Sequence, residues 1–262
     1  MIRKEKHTAL VLASSSGLGL ATAKALYRDG HNVIISSRSQ RLYNAEKEIN
    51  NICSEAEILA IPSDVTRIED LNNLINEGQR KFGVIDILFT NGPGPNPGSL
   101  GELDLNDFAK AHHDLLLPVV YLTKRLIPGM LSQKWGRIII NTSITAKEPS
   151  VNLLLSNVYR AGLAAFSKTL STQLAADNIT VNAVGPAAFR TERALQLLNE
   201  MSSRQGRSVE EIERENADCL PMKRYNDPTE FGSMVAFLAS EAASAITGSF
   251  IAVDGGMSHC VF

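Results

Sequence analysis

Short β-branched runs alternate along this chain with longer stretches in which apolar positions recur every three to four residues, the pattern of strands joined by crossover helices. The runs that predict strands are Ala9–Leu12, Asn32–Ser36, Ile58–Ile61, Ile85–Thr90, Arg137–Thr142, Thr180–Val184 and Ser249–Val253. Several are apolar throughout, which requires helices on both faces of a parallel sheet. Leu18, Ala21 and Ala25 share one helical face, and Leu163, Phe166, Leu170 and Leu174 share another. The second stripe reads as core or subunit contact. Together these elements predict one α/β domain over residues 1–262, a doubly wound parallel sheet of about seven strands.

No linker or repeat divides the chain. The densest breaker cluster, Asn91–Gly98, follows a predicted strand and so lies at a carboxyl strand end, the edge where such sheets bind ligands. The polar segment Arg190–Arg224 falls between the last two strands and predicts a substrate lid at about 190–225.

Composition narrows the partners. A net charge of -2 gives no field for nucleic acid or an acidic membrane. The basic run Arg3-Lys4-Glu5-Lys6 is interleaved with acid and reads as a solvated end. Cys53, Cys219 and Cys260 are scattered, without metal-ligand spacing, and predict free thiols in the cytoplasm. The opening apolar run, Thr8–Ala13, is too short for a signal core or a membrane span.

The first strand leads into Ala13-Ser14-Ser15-Ser16-Gly17-Leu18-Gly19 and then directly into a helix. Small residues there let backbone amides approach a diphosphate, and the helix start adds partial positive charge. Alone, the run is equally a serine-rich helix cap. Its order with later landmarks decides: it resembles the glycine turn of the short-chain dehydrogenase/reductase family, with Gly17 and Gly19 retained and Ala13 in place of the first glycine. The resemblance runs from about Thr8 to Gly256 and implies a single Rossmann-type domain that binds a dinucleotide.

The family landmarks continue at Asp64-Val65, Asn91-Gly92, Pro186, Thr191 and Asp254-Gly255-Gly256. They imply a cofactor set of Ser14, Ser15, Ser16, Gly17, Leu18, Ser37, Arg38, Asp64, Val65, Asn91, Gly92, Arg160, Pro186 and Thr191. An acid at the position of Ser37 would hold ribose hydroxyls in NAD-preferring relatives. Ser37 followed by Arg38 favours a 2′-phosphate and hence NADP(H), against the plainer reading of a surface arginine.

In the family, Ser, Tyr and Lys reduce a carbonyl, with Asn completing a proton relay. Ser143 matches the serine. Thirteen positions on, where tyrosine belongs, stands Ser156; four further, where lysine belongs, stands Arg160; Leu115 occupies the asparagine position. A serine hydroxyl does not ionise near neutral pH and arginine keeps its proton. Tyr159 is rotated by about 60° from Ser156 and displaced by about 4.5 Å along the helix, so it substitutes only if the helix shifts; otherwise it is a packing tyrosine. Lys147, Glu148, His112 and His113 are further titratable candidates. The adjacent histidines make no metal pair.

The mismatched tetrad places the chain near a divergent subgroup similar to 3-oxoacyl-acyl-carrier-protein reductase. That resemblance implies an NADP(H)-linked oxidoreductase acting on a carbonyl/alcohol pair, with Ser143, Ser156, Tyr159 and Arg160 as candidate catalytic residues. Two alternatives stand beside it: a non-catalytic dinucleotide-binding or sensor protein, and a scaffold that has lost the cofactor. Family kinship also implies a homotetramer or dimer through the long helices.

Overall fold

The computed structural model describes residues 6–52 and 55–261. Cys53 and residues 3–5 of the basic run lie outside the described residues. Among the described residues the sheet has seven strands, all parallel, in the order β3-β2-β1-β4-β5-β6-β7. These are β1 (Thr8–Val11), β2 (Asn32–Ser37), β3 (Ile58–Pro62), β4 (Ile87–Thr90), β5 (Gly136–Asn141), β6 (Ile179–Pro186) and β7 (Phe250–Val253). Each overlaps a predicted run and departs from it by a few residues at its ends. Order reverses between β1 and β4, the switch point where a crevice opens above the carboxyl strand ends.

Nine helices connect the strands among the described residues: α1 (Gly17–Arg28), α2 (Leu42–Asn50), α3 (Ile68–Phe82), α4 (Leu105–Ala111), α5 (Leu117–Gln133), α6 (Leu154–Leu174), α7 (Glu192–Gln205), α8 (Val209–Asp218) and α9 (Pro228–Ala239). One core layer joins α1 and α9 to the sheet through Ala23, Leu26, Phe231 and Val235. The other joins α3, α5 and α6 through Leu71, Leu74, Leu122, Leu126 and Leu163. β5 is buried along its whole length because both layers press on it.

The Leu163/Leu174 stripe is core: both are buried, and Phe166 and Leu170 pack against the same layer. The helical rod Leu105–Gln133 is long and apolar enough to cross a membrane by composition, but Val119, Leu122, Leu126 and Met130 are buried in the core. Between α4 and α5 its hydrogen bonding widens into a π-turn at His112–Leu116. Such turns insert a residue and re-aim the side chains beside them.

The polar segment after β6 is more ordered than its composition suggests. Thr191 caps α7 by accepting from the Ala194 amide, Gly206 ends it at φ 64°, and a Ser208/Glu211 capping box starts α8. Leu198 on α7 and Ile212 on α8 are buried.

Candidate functional site

The turn after β1 is built by conformation before chemistry. Ala13 takes φ 47° and Gly17 φ 55°, both left-handed. A side chain on Gly19 would lie 2.3 Å from the Ala13 carbonyl oxygen, so only glycine lets the helix start this close to the strand. Ser16 precedes α1 in an extended conformation with no side-chain cap, leaving the first amides of α1 facing the crevice.

A cavity of about 340 Å³ opens there. Its walls include Ser15, Ser16, Gly17 and Leu18 from the turn, Ser37 and Arg38 after β2, Asp64 and Val65 after β3, Asn91 and Gly92 after β4, and Thr191 before α7. Its size and its cradle of small residues fit a dinucleotide's adenosine and diphosphate end. Ser15 donates to Ser37 at 2.9 Å, and the Ser39 amide donates to the same Ser37 oxygen at 3.1 Å.

Arg38 is largely exposed and lies 3.5 Å from Asp64. Partial burial pushes the Asp64 carboxyl up. The Thr66 amide and hydroxyl, bonded at 2.9 and 2.8 Å, and the Arg38 charge outweigh that and hold it below the usual carboxylate range. Arg41 and Glu192 form an ion pair across the mouth, joining the segment after β2 to the start of α7.

Three expected cofactor residues lie outside these walls: Ser14, Pro186 and Arg160, the last described below. Ser14 is fully buried: its hydroxyl donates to Val11 O at 2.8 Å and accepts from the Ser36 amide at 2.9 Å, while its own amide donates to Ser36 O. Both its polar groups stitch β1 to β2, so Ser14 is a structural serine and not a cofactor contact. Pro186 ends β6 outside the cavity walls, and the Ala187 amide that follows bonds Val253 O at 3.2 Å.

Ser143 follows β5, extended at φ −159°, and caps a short 3₁₀ turn by accepting from the Thr145 amide at 3.2 Å. Thr145 Oγ1 in turn stands 3.0 Å from Ser156 Oγ on α6. Thr145 thus links three hydroxyl residues at the strand end, through its amide to Ser143 and through its hydroxyl to Ser156. Sequence reading missed Thr145; its place two residues after Ser143 was the available signal.

Tyr159 turns away from that group. Its hydroxyl donates to Phe108 O at 2.7 Å, and its ring packs with Leu103, Phe108, Ala111, Leu115 and Leu155. The phenol is thus engaged by α4, away from Thr145 and Ser156. Lys147 lies 4.9 Å from the Phe250 ring centroid, and Glu148 is bound by His259 at the chain end through both carboxylate oxygens. His112 tilts toward the Tyr159 ring, and His113 bonds Asp114. None of these joins the hydroxyl group.

Arg160 is 8% exposed and donates to Asn141 O at 3.0 Å. Burial pushes its guanidinium down to about 10, which leaves it charged at neutral pH. Asn141 reaches on through its side chain to Asn91 at 2.9 Å, and Asn91 to Ala13 O at 3.4 Å. Asn141 was also missed. It lies two residues before Ser143, at the end of the strand that leads to that serine.

A larger cavity, of about 780 Å³, lies at the opposite, amino edge of the strands, lined by His7, His31, Trp135 and Phe237 among others. It shares no residue with the turn or the hydroxyl group. Position outranks size here, because parallel sheets bind nucleotides at their carboxyl edge. Among the described residues no three His, Cys, Asp or Glu side chains gather as a metal site.

A parallel sheet with this strand order and a capless helix start facing its switch point defines a dinucleotide-binding α/β protein. Residues 12–258 match the family described as enoyl-(acyl carrier protein) reductase, and the chain belongs to it, within the short-chain dehydrogenases/reductases. Among curated relatives, it is 30% identical to the NADPH-dependent reductase BacG of Bacillus subtilis (strain 168), covering 96% of this chain and 97% of that one. It is 33% identical to dehydrogenase/reductase SDR family member 4 of Bos taurus, over 97% and 88%. Among solved structures, L-sorbose reductase from Gluconobacter frateurii, complexed with NADPH and L-sorbose, superimposes with a TM-score of 0.93 at 30% identity, covering 98% of each chain.

Proposed function

We propose that this chain is an NADP(H)-linked reductase that interconverts a small-molecule carbonyl and an alcohol. The observation that carries the reading is the single cavity in which the uncapped start of α1, Arg38 and Asp64 converge, beside the strand end that presents Ser143. The relatives support the cofactor: BacG is named an NADPH-dependent reductase, and L-sorbose reductase was solved with NADPH. They lend no support to the non-catalytic alternative or to a decayed scaffold.

In this reading the amides that begin α1, with Ser15, Ser16, Gly17 and Leu18, hold the diphosphate. Asp64 and Val65 border the adenine, Ser37 and Arg38 receive the 2′-phosphate, and Asn91, Gly92 and Thr191 border the rest of the dinucleotide. When bound, the cofactor supplies the hydride. Ser143 hydrogen-bonds the substrate oxygen, and Thr145 and Ser156 extend that hydroxyl group, so charge developing on the oxygen meets oriented donors. The Arg160 cation adds a buried positive field. With no phenol–lysine pair, the proton comes to the oxygen from solvent. Loss of a positioned acid costs about 10²–10⁴ in rate, so turnover is slow or favours electron-poor carbonyls.

The lid is α7 and α8, the protein is a single domain, and exposed Leu117, Leu131 and Val158 on α5 and α6 support a dimer or tetramer. The exposed thiols Cys219 and Cys260 support a cytoplasmic location. The test is NADPH and NADH oxidation by purified protein over a broad panel of ketones, aldehydes and 3-oxoacyl esters. Silence across the panel, together with no NADPH binding by calorimetry, rejects the reading.

A further inference from the structure

Between β1, β4, β5 and α5 lies a small recess of about 20 Å³, walled by Thr90, Asn91, Asp114, Leu115, Asn141 and Arg160 among others and sharing Asn91 with the cofactor cavity. That volume admits one water, which needs about 10–15 Å³ and two to four polar partners. The walls supply them. Thr90 Oγ1 and Asn141 Oδ1 are buried and have no hydrogen-bond partner among the described residues. Arg160 uses one guanidinium N–H on Asn141 O, and burial alone governs its charge. Asp114 is held instead by Lys110 and His113.

The mixture selects the occupant. Arg160 brings only donors, Asn141 Oδ1 only accepts, and Thr90 does either. An anion would face the Asn141 carbonyl oxygen unfavourably; a water donates to it while accepting from Arg160. We propose that this space holds one ordered water bridging Arg160, Asn141 and Thr90, and that through it Arg160 positions the cofactor turn. The water braces a chain of direct hydrogen bonds from α6 to the turn by fixing the Asn141 side chain: Arg160 to Asn141, Asn141 to Asn91, Asn91 to the Ala13 carbonyl. Arg160 is then a positioning residue for the left-handed Ala13, whatever else it touches. The water stands on the cavity alone, whereas its effect on NADPH rests on the cofactor reading proposed above.

Two measurements decide it. A crystal structure near 1.5 Å resolution should show a single density peak within hydrogen-bond distance of all three side chains; an empty space there overturns the proposal. Thr90→Val keeps the volume, removes the hydroxyl and lies outside the cofactor cavity. It should raise the NADPH Kd and the KM for NADPH by about tenfold, with kcat changing by less than about twofold. Arg160→Lys should retain more NADPH affinity than Arg160→Met. Wild-type affinity in a folded Thr90→Val protein overturns the positioning role. If the wild-type protein binds no NADPH, the cofactor reading fails instead, and the density still decides the water.

Discussion

The Tyr159 hydroxyl donates to the Phe108 carbonyl at 2.7 Å, tying α6 to α4 and keeping this phenol out of the hydroxyl group at Ser143. Tyr159→Phe should therefore cost about 1 kcal/mol of stability, the worth of one hydrogen bond, and leave kcat within about twofold. Urea unfolding and steady-state kinetics read the two effects. A hundredfold fall in kcat would make Tyr159 the acid after all.

Ser143 carries the opposite expectation. Ser143→Ala removes the donor placed for the substrate oxygen and should lower kcat by about 10²–10³, with NADPH affinity nearly unchanged. Single-turnover rates at saturating NADPH, set beside calorimetric Kd values, separate chemistry from binding.

Arg38 should discriminate between cofactors. Arg38→Gln removes a charge-assisted contact worth about 1.5–3 kcal/mol, so NADPH should bind about 10–150-fold more weakly while NADH is unaffected. Equal losses for both cofactors would show that Arg38 does not face the 2′-phosphate.

Asp64 sets an acid dependence. Its carboxyl is held below the ordinary value of 3.8, so its stabilising contribution is full above that pH and fades as pH falls toward the lower folded value. Urea midpoints of wild type and Asp64→Asn should differ most above about pH 5 and converge in stronger acid. A gap that is constant with pH would contradict this.

Ala13 bears strain where close kin of this turn carry glycine. At φ 47° a left-handed alanine costs about 1–2 kcal/mol, partly offset by glycine's greater freedom when unfolded. Ala13→Gly should leave the Tm unchanged or raise it by a few degrees in calorimetry. A lower Tm would mean the methyl group packs favourably enough to outweigh the strain.

The parallel sheet was legible because strands buried on both faces carry near-continuous apolar runs, as Ala9–Val11 and Ile138–Ile140 do. That Ser15, Gly17, Arg38, Asp64 and Asn91 would share one cavity was legible for a related reason: each follows a strand at the carboxyl edge, so chain position fixes location. Ser14 was misassigned because sequence shows a serine in a turn but not which way it points, and here its hydroxyl is consumed by β2. Asn141 and Thr145 escaped notice because their parts come from contacts with α6, distant in sequence. The π-turn at His112–Leu116 leaves no mark in the pattern of apolar residues, since one inserted residue shifts the register without changing the amphipathic rod.

Gly98 pairs with the stretch ahead of α6, its amide on Asn152 O at 2.7 Å and its carbonyl receiving the Leu154 amide at 3.3 Å. That stapling makes one lip of the crevice travel with α6, so it has little freedom to swing alone. Traffic into the crevice must therefore be admitted by the other lip, where the Arg41–Glu192 pair is the single ionic latch between the segment after β2 and α7 among the described residues.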